Sequence, residues 1–331
     1  VTVIRFNNVS IIALTAHRPT SGRTTSAIHL AQAMSLMGLR TLLIDCSSDR
    51  QLSIHFGVKR DSAELASQAF LKAAGDISKI SANLICAEVR KGLDIIPSAE
   101  AFDDPSLPDS EKLALILKIR TGFRLFARRY DVVILDTDEP NRLLSLAALS
   151  ACSIIVTPLP ARPGFGEAAE LLERINPLKN VPQAMVLRNF VEIPLGQQQP
   201  IERDTQRVII EDRLQLVNER NSRNSLPNEL RWGLFSNAIP RLVSLPALSE
   251  LHLTAFDLGD TTLSPEILAT VQKAQTTAAF SADDIRDFGK AYMMVAEELL
   301  GLTAAKTTTK TMTDSKRNQP NVANRLVAGL S

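Results

Sequence analysis

The chain has 331 residues, of which 45% are hydrophobic, so it is long enough to bury the core of one large α/β domain. Its 37 basic and 36 acidic residues give a net charge of +1, which excludes attraction to nucleic acid or acidic membranes by the field of the whole molecule. No apolar run reaches the roughly 18 residues of a membrane span, no signal peptide is visible, and Cys46, Cys86 and Cys152 show no metal-ligand spacing. We therefore expect a cytoplasmic protein with reduced cysteines.

Short β-branched segments alternate with longer segments of helical periodicity along the chain. The predicted strands are residues 9–16, 40–46, 93–97, 130–138, 152–160, 184–191 and 232–240. The clearest helical patterns are residues 111–130, 168–175, 207–217 and 282–302. Several strands are apolar almost throughout, which is typical of strands covered on both faces. The alternation predicts an α/β fold: a doubly wound, mostly parallel sheet with helices on both faces.

The composition predicts one domain and a tail. Residues 1–301 carry the alternating pattern, and the polar segment 193–230 within them is interpreted as a surface excursion rather than a second domain. From residue 302 to 331 the chain is rich in threonine, basic and poor in apolar residues, so we expect this tail to be disordered.

The segment "AHRPTSGRTTSAIHLAQAMSLMG" (16–38) has the layout of a phosphate-binding loop that runs into a helix. A tight loop between a strand and a helix directs backbone N–H groups and the positive end of the helix dipole at bound phosphate. Gly22, Thr24 and Thr25 match the usual loop, whereas Arg23 stands where a lysine normally contacts the phosphates. The alternative interpretation is that the glycine and threonines only cap the helix.

Two aspartates end apolar strands that follow this loop along the chain. Asp45 closes the strand after the loop helix, and Asp136 closes "VVILD" further along the chain. Ligands of open α/β sheets bind at the carboxyl ends of the strands, where Asp136 is suited to hold Mg²⁺ directly or through water. Either aspartate taken alone could instead cap the helix that follows it.

The ordered succession of segments resembles the ParA/MinD family of deviant-Walker P-loop ATPases. The similarity continues after the loop through "GLRTLLIDCSSDRQLSIHFGV" (38–58), which is similar to the switch segment of that family, and through "YDVVILDTDEP" (130–140). It extends further through "IIVTPLPARPGFGEAAELL" (154–172) and "NAIPRLVSLPALSE" (237–250). The resemblance covers most of residues 8–301 and implies the P-loop NTPase fold with ATP and Mg²⁺ as cofactors.

Carried over by position, the resemblance assigns nucleotide binding to Gly22, Arg23, Thr24 and Thr25. Arg23 takes the place of the phosphate lysine, and Thr25 makes a phosphate contact. Thr24 supplies the hydroxyl group that holds Mg²⁺, and Asp136 takes the Walker B role as the second metal ligand.

The resemblance also assigns two catalytic positions. Arg18 falls where the family has a signature lysine that reaches the nucleotide of the partner subunit, and Asp45 matches the first aspartate of the switch segment. The second aspartate, which positions the attacking water in the family, is Ser47 here, and Asp49 would replace it only if the segment shifts. We therefore expect ATP hydrolysis to be slow or absent, since Ser47 cannot act as a carboxylate.

By resemblance, the protein is a partition or positioning ATPase that forms a nucleotide-dependent homodimer and binds a ParB-type adaptor. Non-specific DNA is a further implied partner, which would place the protein at the nucleoid, whereas membrane association is not expected. Arg120, Arg124 and Arg128 form a basic stripe with helical spacing that suits DNA phosphates, or else is an ordinary solvated face. The alternative function is a catalytically dead binding or regulatory module of the same fold. A metabolic synthetase of the superfamily is less favoured, because no acceptor site is visible.

Overall fold

The computed structural model describes residues 10–16, 19–59, 85–98, 108–138, 143–160, 183–189, 232–242, 244–257 and 282–317, together with most of 207–219. Arg18 and the helical pattern 168–175 lie outside the described residues.

The described residues form one eight-stranded sheet flanked by helices. The strands are β1 Ser10–Leu14, β2 Thr41–Cys46, β3 Cys86–Arg90, β4 Leu93–Ile96, β5 Val132–Thr137, β6 Ile154–Pro160, β7 Gln183–Asn189 and β8 Trp232–Leu234. The helices are α1 Arg23–Leu36, α2 Gln51–His55, α3 Asp109–Phe126, α4 Leu143–Ala151, α5 Leu245–Glu250 and α6 Ala282–Arg317.

The strand order is β3-β4-β2-β5-β1-β6-β7-β8, and every neighbouring pair is parallel except β3 with β4. The predicted mostly parallel sheet is therefore confirmed. Strand β1 lies between β5 and β6, so the loop after β1 emerges at the centre of the carboxyl edge. This central position brings the loop next to the carboxyl end of β5.

The central strands bury side chains on both faces of the sheet. Ile11, Leu42 and Val133 point into a core that includes α3 and α4. Ile12 and Leu43, their neighbours along the chain, point to the opposite face, where α1 and α6 pack. This alternation follows from the two-residue period of a strand, and it confirms that helices cover both faces.

The helical pattern predicted at 207–217 is confirmed where this segment is described. The described residues between 207 and 219 are helical, and Ile210 and Leu214 are buried in the core on the α3 and α4 side. At least this part of the polar segment 193–230 packs against the domain.

The prediction of disorder from residue 302 was wrong for residues 302–317, because α6 continues as a helix to Arg317. A helix that is already nucleated extends at little cost per residue, and neither proline nor glycine occurs between Leu302 and Arg317. Residues 318–331 lie outside the described part.

Two further features are the state of the cysteines and the character of the helices. Cys46 and Cys152 are buried, Cys86 is half-buried, and all three are free thiols. None of the described helices combines the length and the apolar character that crossing a membrane requires.

Candidate functional site

The phosphate loop is shaped by a left-handed glycine at the start of α1. Gly22 has φ +79° at the N-cap, a conformation that a side chain disfavours, and its carbonyl accepts the N–H of Ser26 at 2.9 Å. The side-chain amide of Asn189, at the end of β7, donates to the carbonyl of Ser21 at 2.9 Å. The loop is therefore anchored to the sheet at the point where the N–H groups of α1 begin.

Asp45 and Asp136 lie side by side because β2 and β5 pair with Asp45 opposite Asp136. Both are buried on the α1 side of the sheet, two residues beyond Leu43 and Ile134. Burial, reinforced by the charge of Asp136, raises the pKa of Asp45 to about 7. Burial also raises the pKa of Asp136 to about 6, against the opposing effects of Arg23 and Thr24. The sequence prediction that these two carboxyl groups meet beside the loop agrees with this geometry.

Arg23, the residue in the position of the phosphate lysine, turns its guanidinium toward these carboxylates. Its Nε donates to Oδ1 of Asp136 at 3.1 Å, and its Nη2 lies 3.5 Å from Oδ1 of Asp138. Only 6% of the Arg23 side chain is exposed, and Asp136 is fully buried, so this ion pair is shielded from water. In this arrangement Arg23 serves as the counter-charge of the carboxylates, and a contact of Arg23 with phosphate stays a prediction.

Asp45 is bonded through both carboxylate oxygens to the switch segment. Oδ1 accepts the N–H of Ser47 at 3.0 Å, and Oδ2 accepts the N–H and the hydroxyl of Ser53 at 3.0 and 2.6 Å. Asp45 thus fixes the chain that leaves β2 and the short helix α2. This is the capping role that sequence reasoning had left open, and a catalytic role of Asp45 stays a prediction.

Asp138 is a residue of the site that the sequence reasoning missed. Its Oδ1 accepts the hydroxyl of Ser47 at 2.8 Å, and its Oδ2 accepts the N–H of Ser48 at 2.5 Å. The bonds from Ser48 and Ser47, together with the charge of Arg23, lower the pKa of Asp138 against the opposing effect of burial. The hydroxyl of Ser47 also lies 2.5 Å from Oδ1 of Asp49, and with one hydrogen it donates to one carboxylate at a time. The spacing of the sequence could have indicated this contact. Ser47 follows Asp45 by two residues and Asp138 follows Asp136 by two residues, and Asp45 is paired with Asp136.

Thr24 and Thr25 occupy the first turn of α1 and are half-buried. The Thr24 hydroxyl is close enough to the Asp136 carboxylate to lower its pKa. The carbonyl of Thr25 accepts Nδ1–H of His29 at 2.8 Å, while Nε2 of His29 accepts the N–H of Ala255 at 3.2 Å. The neutral His29 ring therefore links the first turn of α1 to the segment after α5.

The same ring joins the loop helix to α6. His29 stacks on Tyr292 with ring centroids 5.0 Å apart, and the hydroxyl of Tyr292 lies 3.1 Å from that of Ser26. Phe288 meets His29 edge-on at 5.1 Å. Because these contacts lie within the first two turns of α1, α6 supports the helix that carries the phosphate loop.

A magnesium ion is implied by the resemblance, and the residues present fit it in one respect. Oδ2 of Asp136 is buried without a hydrogen-bond partner among the described residues, and the Thr24 hydroxyl is adjacent to this carboxyl group. Oδ1 of the same carboxylate is occupied by Arg23. Among the described residues no group of three or more His, Cys, Asp and Glu side chains could hold a metal ion. A bound magnesium ion would thus need oxygen ligands from outside the protein as well.

The central loop at the carboxyl end of β1, the helix that follows it and the aspartate at the end of β5 define a P-loop NTPase fold.

Comparison with known proteins gives the family within this class. The AAA domain family matches residues 9–186, more than half of the chain. Soj, the sporulation initiation inhibitor protein of Bacillus subtilis, is 24% identical over 149 residues, which are 45% of this chain and 57% of that protein. The chromosome partitioning protein ParA of Myxococcus xanthus is 26% identical over 149 residues, 45% of this chain and 51% of that protein. The chain thus spans about half the length of these curated relatives.

A solved structure supports the same assignment of the fold. Apo McdA from Cyanothece superposes with a TM-score of 0.56 at 14% identity, covering 81% of this chain and 99% of that one. A second structure of Cyanothece McdA is a complex with ATP. It superposes with a TM-score of 0.56 at 13% identity, covering 83% of this chain and 99% of that one. The chain belongs to the ParA/MinD family of P-loop ATPases, within the AAA domain family.

Proposed function

We propose that this protein is a ParA-like partition or positioning protein, a homodimer whose assembly depends on ATP. Its proposed partners are a ParB-type adaptor and non-specific DNA, which it meets in the cytoplasm at the nucleoid. The chromosome partitioning function named for the Myxococcus relative supports the role, and the ATP complex of the McdA neighbour supports the cofactor.

The observation that carries this proposal is the left-handed glycine that starts α1 at the centre of the carboxyl edge. Gly22 and the anchored carbonyl of Ser21 place the start of α1, with its free N–H groups, at this edge, which supports an anion site there. None of these features needs the lysine that Arg23 replaces. Backbone N–H groups and a helix dipole bind phosphate irrespective of the side chain at one loop position.

Mg²⁺ is the second proposed cofactor, with the Thr24 hydroxyl and Oδ2 of Asp136 as the protein groups that would hold it. When bound, the ion would offset the negative charge of the phosphates. The chain's own contribution is to keep Asp136 at the end of β5, beside Thr24, through the pairing of β5 with β1 and β2.

Hydrolysis is proposed to be slow or absent, because the switch segment offers no free carboxylate in the family's position. Ser47 replaces the water-positioning aspartate, and both oxygens of Asp45 bind the backbone and hydroxyl groups of the switch segment. Oriented charge is the main source of rate in phosphoryl transfer, so losing it slows turnover by about 10²-fold or more.

The second candidate function is a nucleotide-independent binding or regulatory module. It is favoured by one observation, namely that the buried Arg23 guanidinium is already paired with Asp136 and Asp138. If this ion pair is permanent, the loop loses the cation that stands in the position of the phosphate lysine. The two candidates differ in whether ATP changes the oligomeric state.

The test is titration of the purified chain with ATP and Mg²⁺, followed by calorimetry for binding and by light scattering for mass. We expect binding and a shift from monomer to dimer, and we expect Arg23→Ala to lose both. Arg40→Ala is the matched control, because Arg40 is 68% exposed and pairs with Asp131 near the start of β2. If the Arg40→Ala protein behaves as the wild type, the loss of ATP binding and dimerisation in Arg23→Ala does not result from the loss of one arginine charge alone.

Absence of binding at millimolar ATP would reject the proposal and leave the nucleotide-independent module. Binding without any change in mass would reject the ATP-dependent dimer while keeping the nucleotide site.

A further inference from the structure

The carboxylate cluster beside the phosphate loop already contains a cation that belongs to the chain itself. Asp136 is fully buried and Asp138 nearly so, and the nearest cation to both is the guanidinium of Arg23, of which 6% is exposed. A carboxylate in such a place is stable only with a counter-charge or a proton, because little water reaches it.

The remaining oxygens of the cluster are almost all in use. Both oxygens of Asp45 accept hydrogen bonds from Ser47 and Ser53. Asp138 accepts from Ser47 and Ser48 as well as from Arg23. Oδ2 of Asp136 is the one oxygen of these three carboxylates without a hydrogen-bond partner in the described part of the chain. The Thr24 hydroxyl is close to the same carboxyl group.

A divalent cation at Oδ2 of Asp136 would therefore share one carboxylate with the guanidinium on Oδ1. Two cations a few ångströms apart repel strongly in a site that water hardly screens. A guanidinium held by two carboxylates also gains directional hydrogen bonds that a metal ion would have to displace.

We propose that Arg23 is the built-in cation of this site, and that the Arg23 guanidinium and a divalent metal ion are mutually exclusive partners of Asp136 in the nucleotide-free protein. Free Mg²⁺ does not bind Asp136 in the nucleotide-free protein, because the Arg23 guanidinium already supplies the positive charge there. Removal of the guanidinium charge opens the same carboxylate to Mg²⁺. The inference deepens the proposed function and rests on it only for the relevance of Mg²⁺ to this site.

The experiment compares melting temperatures of the full chain without nucleotide, in EDTA, in 10 mM MgCl₂ and in NaCl of equal ionic strength. We expect the wild type and Arg23→Lys to melt at the same temperature in EDTA and in MgCl₂. We expect Arg23→Gln to melt about 5–10 °C lower in EDTA, because it leaves buried carboxylates unpaired, and to regain most of this loss in MgCl₂ but not in NaCl. The added change Asp136→Asn should abolish the response to Mg²⁺.

Arg90→Gln is the matched control, because Arg90 is the other buried arginine with a buried aspartate partner in the described residues. Its Nε and Nη2 donate to the two oxygens of Asp257 at 3.0 Å, on the side of α1 away from the loop. Asp257 is also bonded to Gln32 and Thr254, so no oxygen is left for a metal. This variant should lose stability without regaining it in MgCl₂.

A wild type stabilised by Mg²⁺ as much as Arg23→Gln would overturn the inference. So would an Arg23→Gln protein whose melting temperature and folded yield are both unaffected by Mg²⁺. Because no nucleotide is present, either result is independent of whether the protein binds ATP. Conversely, failure of ATP to bind leaves the expected response to Mg²⁺ unchanged.

Discussion

Asp45 is the buried residue that connects the sheet edge to the switch segment. Replacing it by alanine leaves the N–H groups of Ser47 and Ser53 without their acceptor, together with the Ser53 hydroxyl. Because unsatisfied buried donors cost about 1–3 kcal/mol each before relaxation, we expect Asp45→Ala to lower the free energy of unfolding by roughly 2–4 kcal/mol. Urea denaturation measures the loss.

Ser53→Ala keeps the backbone bond to Asp45 and removes the hydroxyl bond to it, together with the acceptor of the Ser98 N–H at 3.1 Å. We expect it to lose about 1 kcal/mol. An Asp45→Ala protein as stable as the wild type would contradict the capping role and return Asp45 to the list of catalytic candidates.

Two buried histidines predict loss of stability in acid. Burial lowers the pKa of His29 to about 4 and that of His55 to about 3, with Asp257 opposing both shifts and Arg90 and His252 adding to the second. The unfolded chain takes up these protons below the ordinary histidine pKa of about 6.5. The two histidines therefore make their full contribution to the free energy of unfolding above pH 6.5, and this contribution is lost as the pH falls. For His29 the loss is about 3 kcal/mol by pH 4.

The measurement is the difference in unfolding free energy between the wild type and His29→Gln at several pH values. A difference is needed because Asp45, with its raised pKa, favours the folded state at low pH and opposes the histidines. We expect the wild type to lose more stability than His29→Gln between pH 6.5 and 4. Parallel pH profiles would show that His29 is not buried in the neutral form.

The geometry of the candidate site was only partly predictable from single residues. The positions of Asp45 and Asp136 followed from the rule that acidic residues after apolar strands gather at one edge. The direction of the Arg23 side chain did not follow, because its partner Asp136 lies 113 residues away and the choice between carboxylate and phosphate depends on three-dimensional distances. The same holds for Asn189, whose bond to the loop carbonyl spans 168 residues.

At the scale of elements, strands buried on both faces were predicted best because their apolar runs have no other explanation. Strand β3 was missed: its sequence "CAEVR" carries two charges, and it pairs antiparallel at the edge through the turn at Gly92. Helix α4, "LLSLAALSA", was also missed, since a helix buried almost all round has no polar face to reveal its period. In each case the neighbouring elements, rather than the local pattern, determine the structure.

Helix α3 carries Arg120 and Arg124 of the basic stripe that would contact DNA, and Arg128 lies in the turn just after the helix ends at Phe126. Arg124 and Arg128 are exposed, and Arg120 is half-buried with its Nε lacking a hydrogen-bond partner in the described residues. If these arginines bind phosphates, Arg124→Ala with Arg128→Ala should weaken non-specific DNA binding and lower the slope of log K against log salt by about 2. Fluorescence anisotropy with a labelled duplex at several salt concentrations gives the slope.

The control for this prediction removes the same number of charges from α6, by Arg286→Ala with Lys290→Ala. Both side chains are exposed, and they pair with Asp283 and Asp287. An equal loss in both proteins would indicate that overall charge, and not the α3 stripe, governs the affinity. An unchanged slope in the α3 variant would leave the stripe as a solvated helix face.

At the scale of the whole molecule, a P-loop NTPase fold is combined with a site in which Arg23 is paired with the carboxylates of Asp136 and Asp138. We expect phosphate release in the presence of ATP, Mg²⁺ and DNA to be below about one hundredth of that of Soj measured side by side. Asp136→Asn should remove whatever release remains, which distinguishes it from a contaminating ATPase. A rate equal to that of Soj would show that Ser47 is no obstacle to hydrolysis.

Helix α6 extends far beyond the contact between Tyr292 and Ser26 through which it packs against α1. The helix has 36 residues, so at a rise of about 1.5 Å per residue it is about 54 Å long, and about 38 Å of it lie beyond Tyr292. A tilt of about 10° passed from α1 to this helix would move its far end by roughly 7 Å. A small displacement of α1 that α6 follows would therefore grow larger toward the far end of α6.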